Sequence, residues 1–120
     1  MDVTIYHNPR CSKSRQTLAL LRERGIEPVV IEYLKSPPGE RTLRNILRML
    51  GMVPRELLRK GEKEYKALGL DNPALSAEDL IRVVIEHPIL LERPIVVADG
   101  KAALGRPPEN VLKILAPASR

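Results

Sequence analysis

The sequence predicts an α/β fold in which helices flank a mixed central sheet, with a helical insert between a βαβ half and a ββα half. Three observations predict it. Residues 1–33 contain two strand-like runs separated by a helix-like run. Residues 94–115 contain two short strand-like runs around an Asp-Gly turn, followed by a helix-like run. Between these halves, apolar residues recur at the 3.6-residue spacing that is typical of amphipathic helices.

The first half is predicted to be a βαβ unit. Residues 2–6 alternate like a short strand, and Ser12 to Arg24 form a helix with Leu18 and Leu21 on its apolar face. Gly25 follows where a helix commonly needs a left-handed residue. Residues 27–33 have a continuous apolar centre, which is typical of a buried parallel strand. Two parallel strands joined by a helix predict a right-handed crossover.

The middle of the chain is predicted to be a helical insert over about residues 39–87. After the break at residues 36–39 comes a helix that Gly51 closes, with the apolar positions Leu43, Ile46, Leu47 and Leu50. Residues 53–70 are expected to form short helical pieces and loops. Ser76 and Asp79 resemble a capping box, although Asp replaces the usual Glu. The helix that they begin ends at His87-Pro88 and buries Leu80, Ile81, Val84 and Ile85.

The last part is predicted to be a hairpin and a helix. Residues 94–98 and 101–104 flank Asp99-Gly100, a strong hairpin signal. Pro107 and Pro108 open a final helix that turns Val111, Leu112 and Leu115 inward. The complete order is that of a thioredoxin-like fold. The chain, residues 1–120, is expected to be a single domain.

Composition narrows the classes of function. Hydrophobic content is 43% and charged content 29%, with a net charge of +5, a pI of about 9.7, and no Trp or Phe. Basic residues are interleaved with acids and few aromatic residues could stack on bases, so no nucleic acid partner is expected.

No apolar run could cross a bilayer and no signal peptide is evident, so no membrane partner is expected. One cysteine allows neither an internal disulfide nor a thiolate zinc site, and no metal is expected. This suits the cytoplasm.

That cysteine, Cys11, is predicted to lie where the first strand turns into the first helix. The helix N-terminus stabilises an anion there, and Arg10, Lys13 and Arg15 add positive charge nearby. Such a setting lowers a thiol pKa below its usual value of about 8.5. The interpretation is a thiolate nucleophile. The alternative is a structural cysteine packed in the core.

Four segments resemble the glutaredoxin-type arsenate reductases of the thioredoxin-like superfamily. They match the family in order, nearly from end to end of the chain, and comprise residues 6–15, 57–60, 87–97 and 105–107. The resemblance implies that Cys11 attacks arsenate and that Arg59, Arg93 and Arg106 hold the oxyanion. It also implies a cis peptide before Pro94, which the sequence cannot show. Guanidinium groups suit this task because they bind oxyanions through paired, charge-assisted hydrogen bonds and keep their charge.

Other polar residues of the first segment are candidates for supporting roles. His7 either tunes the thiolate or terminates the strand. Asn8 and Ser14 are possible hydrogen-bond donors to the turn, the thiolate or the anion, with capping and turn roles as the simpler account. Arg15 is a possible secondary anion contact. Taken without the family motifs, Arg59 and Arg106 would be ordinary surface arginines.

The resemblance implies glutathione and glutaredoxin as electron donors, with glutathione a cosubstrate rather than a bound cofactor. Ser14 stands where a thioredoxin-type resolving cysteine would be, so the chain must borrow thiols from outside. Mycothiol or thioredoxin systems remain alternatives. Two other functions are considered: a thioredoxin-like regulator that binds RNA polymerase or another protein, and a general thiol oxidoreductase. An anion cage would favour the enzyme.

Overall fold

A computed structural model describes residues 2–115 of the chain, and these fall into two units, each with its own buried core. Residues 2–33 and 93–115 form the first unit, and residues 34–92 form the second. The predicted insert of about residues 39–87 lies within the second unit. The prediction of a single domain stays a prediction.

The first unit contains a four-stranded mixed sheet, as predicted. Its strands are β1 (Val3–His7), β2 (Val29–Glu32), β3 (Ile95–Ala98) and β4 (Lys101–Leu104), in the order β2-β1-β3-β4. β1 pairs with β2 in parallel and with β3 in antiparallel, and β3 and β4 form an antiparallel pair. The α/β class is confirmed.

Helix α1 (Ser12–Glu23) connects β1 to β2 and packs on the sheet through its buried stripe. Leu21 is fully buried in a core with Val3, Ile5 and Val96. Gly25 adopts a φ of 75° after the helix, and the N–H of Ile26 donates to the carbonyl of Leu21, which closes the helix as predicted.

β2 differs from its prediction. The strand is parallel to β1 as expected, but it lies at the edge of the sheet and is not buried. The side chains of Val29 and Val30 are 62% and 37% exposed. A run of apolar residues has the same appearance in an edge strand and in a central one, so the pattern alone predicted the wrong position.

The hairpin has the predicted turn, with φ values of 50° at Asp99 and 75° at Gly100. The final helix differs in type, because Pro108–Ile114 form a 3-10 helix and not an α-helix. The side-chain amide of Asn110 donates to the carbonyl of Leu104, which ties the segment to the end of β4. Val111 is buried as predicted, whereas Leu112 and Leu115 are half-buried.

The second unit is mainly helical. It contains α2 (Glu40–Leu50), α3 (Lys63–Ala67), α4 (Ala77–Glu86) and the 3-10 helices Pro54–Leu57 and Pro88–Leu90. Gly51 ends α2 with a φ of 67°, and α4 begins with reciprocal hydrogen bonds between Ser76 and Asp79, both as predicted. Its core includes Leu43, Ile46, Leu57, Leu80, Ile81, Val84 and Leu90. Within residues 2–115, no helix has the length and apolar character needed to span a membrane.

Candidate active site

The site is built around Cys11, which is the N-cap residue of α1. Its backbone is extended, its N–H donates to the carbonyl of Asn8 at 3.0 Å, and its carbonyl accepts from the N–H of Arg15 at 3.0 Å. The side chain is partly exposed. The thiol therefore lies beside the free N–H groups of the first helical turn, where a negative charge is stabilised.

Two arginines from the other end of the chain reach this thiol. Nη2 of Arg106 lies 3.5 Å from Sγ of Cys11, and Arg93 also donates a side-chain hydrogen bond to the sulfur. Nε of Arg106 donates to the carbonyl of Arg93 at 2.7 Å, which fixes the two arginines relative to each other. Arg93 is 7% exposed, so its positive charge is largely buried from solvent. Of the predicted anion ligands, these two are placed at the sulfur.

Both arginines precede cis prolines, Pro94 and Pro107. The first cis bond is the one that the family resemblance implied, and the second was not anticipated. Gly105 packs between these segments and α1. A Cβ at this position would clash with Oγ1 of Thr17 and would lie 2.6 Å from Cγ of Pro94. A larger residue at 105 would therefore displace the segment that carries Arg106.

The electrostatics of the site favour the thiolate. Burial acts to raise the pKa of Cys11, but the net shift is downward, because the backbone N–H groups of Ser14 and Lys13 and the side chain of Arg93 donate hydrogen bonds to the sulfur. The charge of Arg106 acts in the same direction. The thiolate is the nucleophilic form of cysteine.

The lowered pKa gives a direct prediction for alkylation. The rate of iodoacetamide reaction at Cys11 should rise with pH through a midpoint below about 8.5, because the reaction follows the thiolate fraction. The same chain unfolded in denaturant is the control and should show the ordinary midpoint. Arg106→Ala should move the folded midpoint upward, since it removes a positive charge beside the sulfur. A folded midpoint at or above the unfolded one would contradict thiolate activation.

His7 and Ser14 form a buried pair behind the thiol. Nδ1 of His7 lies 2.6 Å from Oγ of Ser14, and the N–H of Asn8 donates to the same oxygen at 3.0 Å. Burial lowers the pKa of His7; Arg22 and Arg15 act in the same direction and Glu32 opposes them. A neutral imidazole adds no positive charge at the sulfur. His7 contacts Ser14, and the backbone N–H of Ser14 donates to the sulfur of Cys11. Of the two roles considered for His7, this contact fits tuning of the thiolate through Ser14.

Asn8 and Arg15 stabilise the turn that carries the thiol. Oδ1 of Asn8 accepts from the N–H of Arg10 at 3.0 Å, and Nη1 of Arg15 donates to the carbonyl of Pro9 at 2.9 Å. Arg15 is exposed, and Asn8 is 4% exposed. The contact of Asn8 is a turn role, which was the simpler account for that residue, and the contact of Arg15 with the turn was not predicted. An anion role for either residue stays a prediction.

Arg59, the third predicted anion ligand, belongs to the second unit. Its Nε donates to Oε2 of Glu62 at 3.1 Å and its Nη1 donates to Oε1 of Glu92 at 3.0 Å. Neither carboxylate was predicted from the sequence as a partner of Arg59. Arg59 and Glu62 are three positions apart, and this local spacing could have predicted the ion pair between them. Glu92 is distant from Arg59 in sequence, so no local pattern indicates their contact. The role of Arg59 as an anion ligand stays a prediction.

Side chains that could bind a metal ion are not clustered in the part of the chain that the structure describes. Among residues 2–115, no group of three or more histidine, cysteine, aspartate or glutamate side chains is arranged to hold a metal ion. The reactive groups near the thiol are instead donors and cations, which are suited to binding an anion.

Comparison with known proteins identifies the family. The model of the ArsC family matches residues 6–114. This chain belongs to the ArsC family. An arsenate reductase of Neisseria meningitidis serogroup B is 51% identical over 115 residues, which cover 95% of this chain and 98% of that protein. The protein YfgD of Escherichia coli K12, described as uncharacterized, is 57% identical over 115 residues and covers 95% and 97% of the two chains.

A solved structure shows the same fold. The arsenate reductase of Vibrio cholerae matches with a TM-score of 0.94 and 51% identity, over 96% of this chain and 98% of that one. The predicted thioredoxin-like fold and the family resemblance are both confirmed. The thiol and the two arginines described above all lie within the residues that the ArsC model matches.

Proposed function

We propose that this chain is an arsenate reductase in which Cys11 is the nucleophile and glutathione and glutaredoxin supply the electrons. The observation that carries the proposal is the thiol at the N-cap of α1 with two guanidinium groups on its sulfur. The relatives named arsenate reductase, at about half identity over nearly the whole chain, support the choice of substrate.

The site chemistry suits a thiolate that attacks an anion. Arsenate is a tetrahedral oxyanion, and a thiolate approaching it meets electrostatic repulsion. Arg93 and Arg106 offset that repulsion, because their donors bind arsenate oxygens while their charges hold the sulfur as thiolate. We carry Arg59 over from the family motif as the third anion ligand. An adaptor that only docks on a protein would have no need of guanidinium groups at its thiol.

The proposed cycle balances in atoms and electrons. The sulfur of Cys11 bonds to As(V), and one arsenate oxygen leaves as water after protonation. Glutathione then adds to the arsenic through its thiol, with loss of a second water. The two sulfurs then join as a disulfide between Cys11 and glutathione while both S–As bonds break. Two electrons stay on the arsenic, which becomes As(III), takes up one water and leaves as arsenite. A glutaredoxin thiol then attacks the mixed disulfide and restores Cys11.

The test of the proposed function measures arsenite and the protein adduct together. Purified protein is given arsenate with glutathione and glutaredoxin, separately and in combination. With glutathione alone, intact mass spectrometry should show one added glutathione on Cys11, formed faster with arsenate than without it. Adding glutaredoxin should remove the adduct and sustain arsenite production, because an external thiol must resolve the disulfide.

The control is Cys11→Ser, which should show no adduct. Adduct formation at the same rate without arsenate would indicate a general glutathionylation site and favour the general thiol oxidoreductase. Sustained turnover on thioredoxin alone, with no adduct, would show that the proposed electron donor is wrong.

A further inference from the structure

An open groove lies along α1, the helix whose N-cap residue is Cys11. Its volume is about 570 Å³, which is within the range of small-ligand sites, and all of its lining belongs to the first unit. The lining combines a buried imidazole, an apolar strip and charged groups: His7, Arg15, Leu18, Ala19, Arg22 and Glu23. The helical residues recur every three or four positions, so this α1 groove follows one face of the helix.

The two cations of the α1 groove differ in their partners. Both carboxylate oxygens of Glu27 accept from the guanidinium of Arg22, at 3.1 Å and 3.0 Å. Arg15 is exposed and has no carboxylate partner within residues 2–115. Its Nη1 donates to the carbonyl of Pro9 at 2.9 Å, and this bond uses one of five N–H donors. Arg15 is therefore the positive charge that the groove offers to an anion.

The position of Arg15 opposes the dipole of its own helix. The first turn of α1 contains the cations Lys13 and Arg15 and no acidic residue, although a helix N-terminus favours negative charge. The pKa of Cys11 is lowered by backbone donors of the same turn and by two arginines from the far end of the chain, so Arg15 is not needed to hold the thiolate. A residue that breaks a local rule without a structural gain points to a function.

Arg15 lies within reach of a molecule bound to Cys11. The N–H of Cys11 donates to the carbonyl of Asn8, so residues 8–11 form a tight turn, and Arg15 is bonded to Pro9 inside that turn. The guanidinium therefore lies within roughly 12 Å of the Cα of Cys11. In a mixed disulfide the Cα of the other cysteine is about 5.5 Å from that Cα, and the next residue of its peptide is about 3.8 Å further. A carboxylate on that next residue can bond to the guanidinium.

We propose that Arg15 binds the glycyl carboxylate of glutathione and so selects the thiol that reaches Cys11. The inference rests on the proposed function, because it takes glutathione to be the thiol donor. In glutathione the glycyl carboxylate is on the residue next to the cysteine, which is the placement that Arg15 requires. The half-buried Leu18 and the exposed Ala19 form the apolar wall of the α1 groove beside the peptide. A thiol without this carboxylate reaches Cys11 with no contact to Arg15.

Thiol–disulfide exchange at Cys11 tests the contact without arsenate. The thiolate of Cys11 attacks one sulfur of a disulfide, a new S–S bond forms to that half, and the other half leaves as a thiolate. The reagents are oxidised glutathione, its diester at the two glycyl carboxylates, and bis(2-hydroxyethyl) disulfide, which is uncharged. Intact mass spectrometry of the full-length chain measures the rate of adduct formation with each reagent.

Arg15→Ala should slow the reaction with oxidised glutathione by about fivefold, because a charge-assisted contact at an exposed site is lost. It should leave the rates with the diester and with the neutral disulfide unchanged. A change in the thiol itself would alter all three rates together, so the comparison isolates recognition. Arg15→Gln removes the charge but keeps an N–H donor for the carbonyl of Pro9, and should give the same pattern. The control Arg24→Ala removes an exposed arginine at the other end of α1 and should change none of the rates.

The arsenate assay separates this inference from the proposed function. Arg15→Ala should raise the KM for glutathione and leave the KM for arsenate unchanged. A raised KM for arsenate with unchanged exchange rates would make Arg15 an arsenate ligand and overturn the inference. Equal slowing with oxidised glutathione and its diester would also overturn it, because the glycyl carboxylate is then not the group that Arg15 binds. If the parent chain makes no arsenite with glutathione and glutaredoxin, the proposed function fails, and the exchange rates still decide whether Arg15 binds the carboxylate.

Discussion

Cys11→Ser is expected to abolish arsenate reduction, with a loss of about a thousandfold or more in turnover. A serine hydroxyl is far less acidic than a thiol, so the donors that stabilise the thiolate of Cys11 cannot generate an equivalent nucleophile. The residual rate should not depend on glutathione, because no mixed disulfide can form. Arsenite production under saturating arsenate, glutathione and glutaredoxin measures the loss.

The same substitution should leave the fold intact, which separates chemistry from stability. Cys11 is the N-cap of α1 and makes no side-chain capping bond. Serine is a preferred N-cap residue, so the free energy of unfolding should stay the same or rise by up to about 1 kcal/mol. Thermal denaturation followed by circular dichroism tests this. Normal arsenite production by a folded Cys11→Ser chain would remove Cys11 from the mechanism.

Arg93→Ala and Arg106→Ala are each expected to weaken arsenate turnover or binding by at least about tenfold, since a charge-assisted hydrogen bond is worth roughly 1.5–3 kcal/mol. Both side chains donate to the sulfur, so each loss should also slow attack by the thiolate. Arg→Lys should recover little, because an ammonium cannot reproduce the paired donors of a guanidinium. Arg59→Ala should show a loss of similar size, through binding.

The matched control is Arg24→Ala, which removes the same charge from an exposed position at the other end of α1. It should leave kcat and KM unchanged. Sulfate and phosphate should compete with arsenate in the parent chain and less well in the arginine variants. Normal arsenate kinetics in all three arginine variants would leave only the cysteine to support the enzyme, and the adaptor hypothesis would then lead.

Local features of the fold could be predicted because each depends on a few neighbouring residues. Gly25 and Gly51 adopt positive φ values at helix ends, and Asp99-Gly100 forms the tight turn that its sequence favours. Ser76 caps α4 with Asp79 in place of the usual glutamate. Each of these features depends only on residues a few positions apart. The short stretch of sequence that predicts the feature therefore also contains its physical cause.

Features that depend on distant parts of the chain could not be predicted from the residues alone. The exposure of Val29 depends on whether another strand lies beside β2, which its own sequence does not encode. The contact of Glu92 with Arg59 joins residues 33 positions apart. The approach of Arg106 to Cys11 spans 95 positions, and only the family motifs indicated it.

The division of the chain has a consequence for its synthesis. Residues 34–92 are continuous, so this unit can complete its contacts as soon as it leaves the ribosome. The unit that carries Cys11 cannot complete its contacts at that stage. Its strand β1 pairs with β3, and β3 is synthesised some 90 residues after β1. Until then the nascent β1–β2 pair has an open edge, where another strand could pair wrongly. We therefore expect ribosome-bound chains that end before β3 to carry a folded insert and an unprotected Cys11, and co-translational folding of the thiol site to begin only with the hairpin.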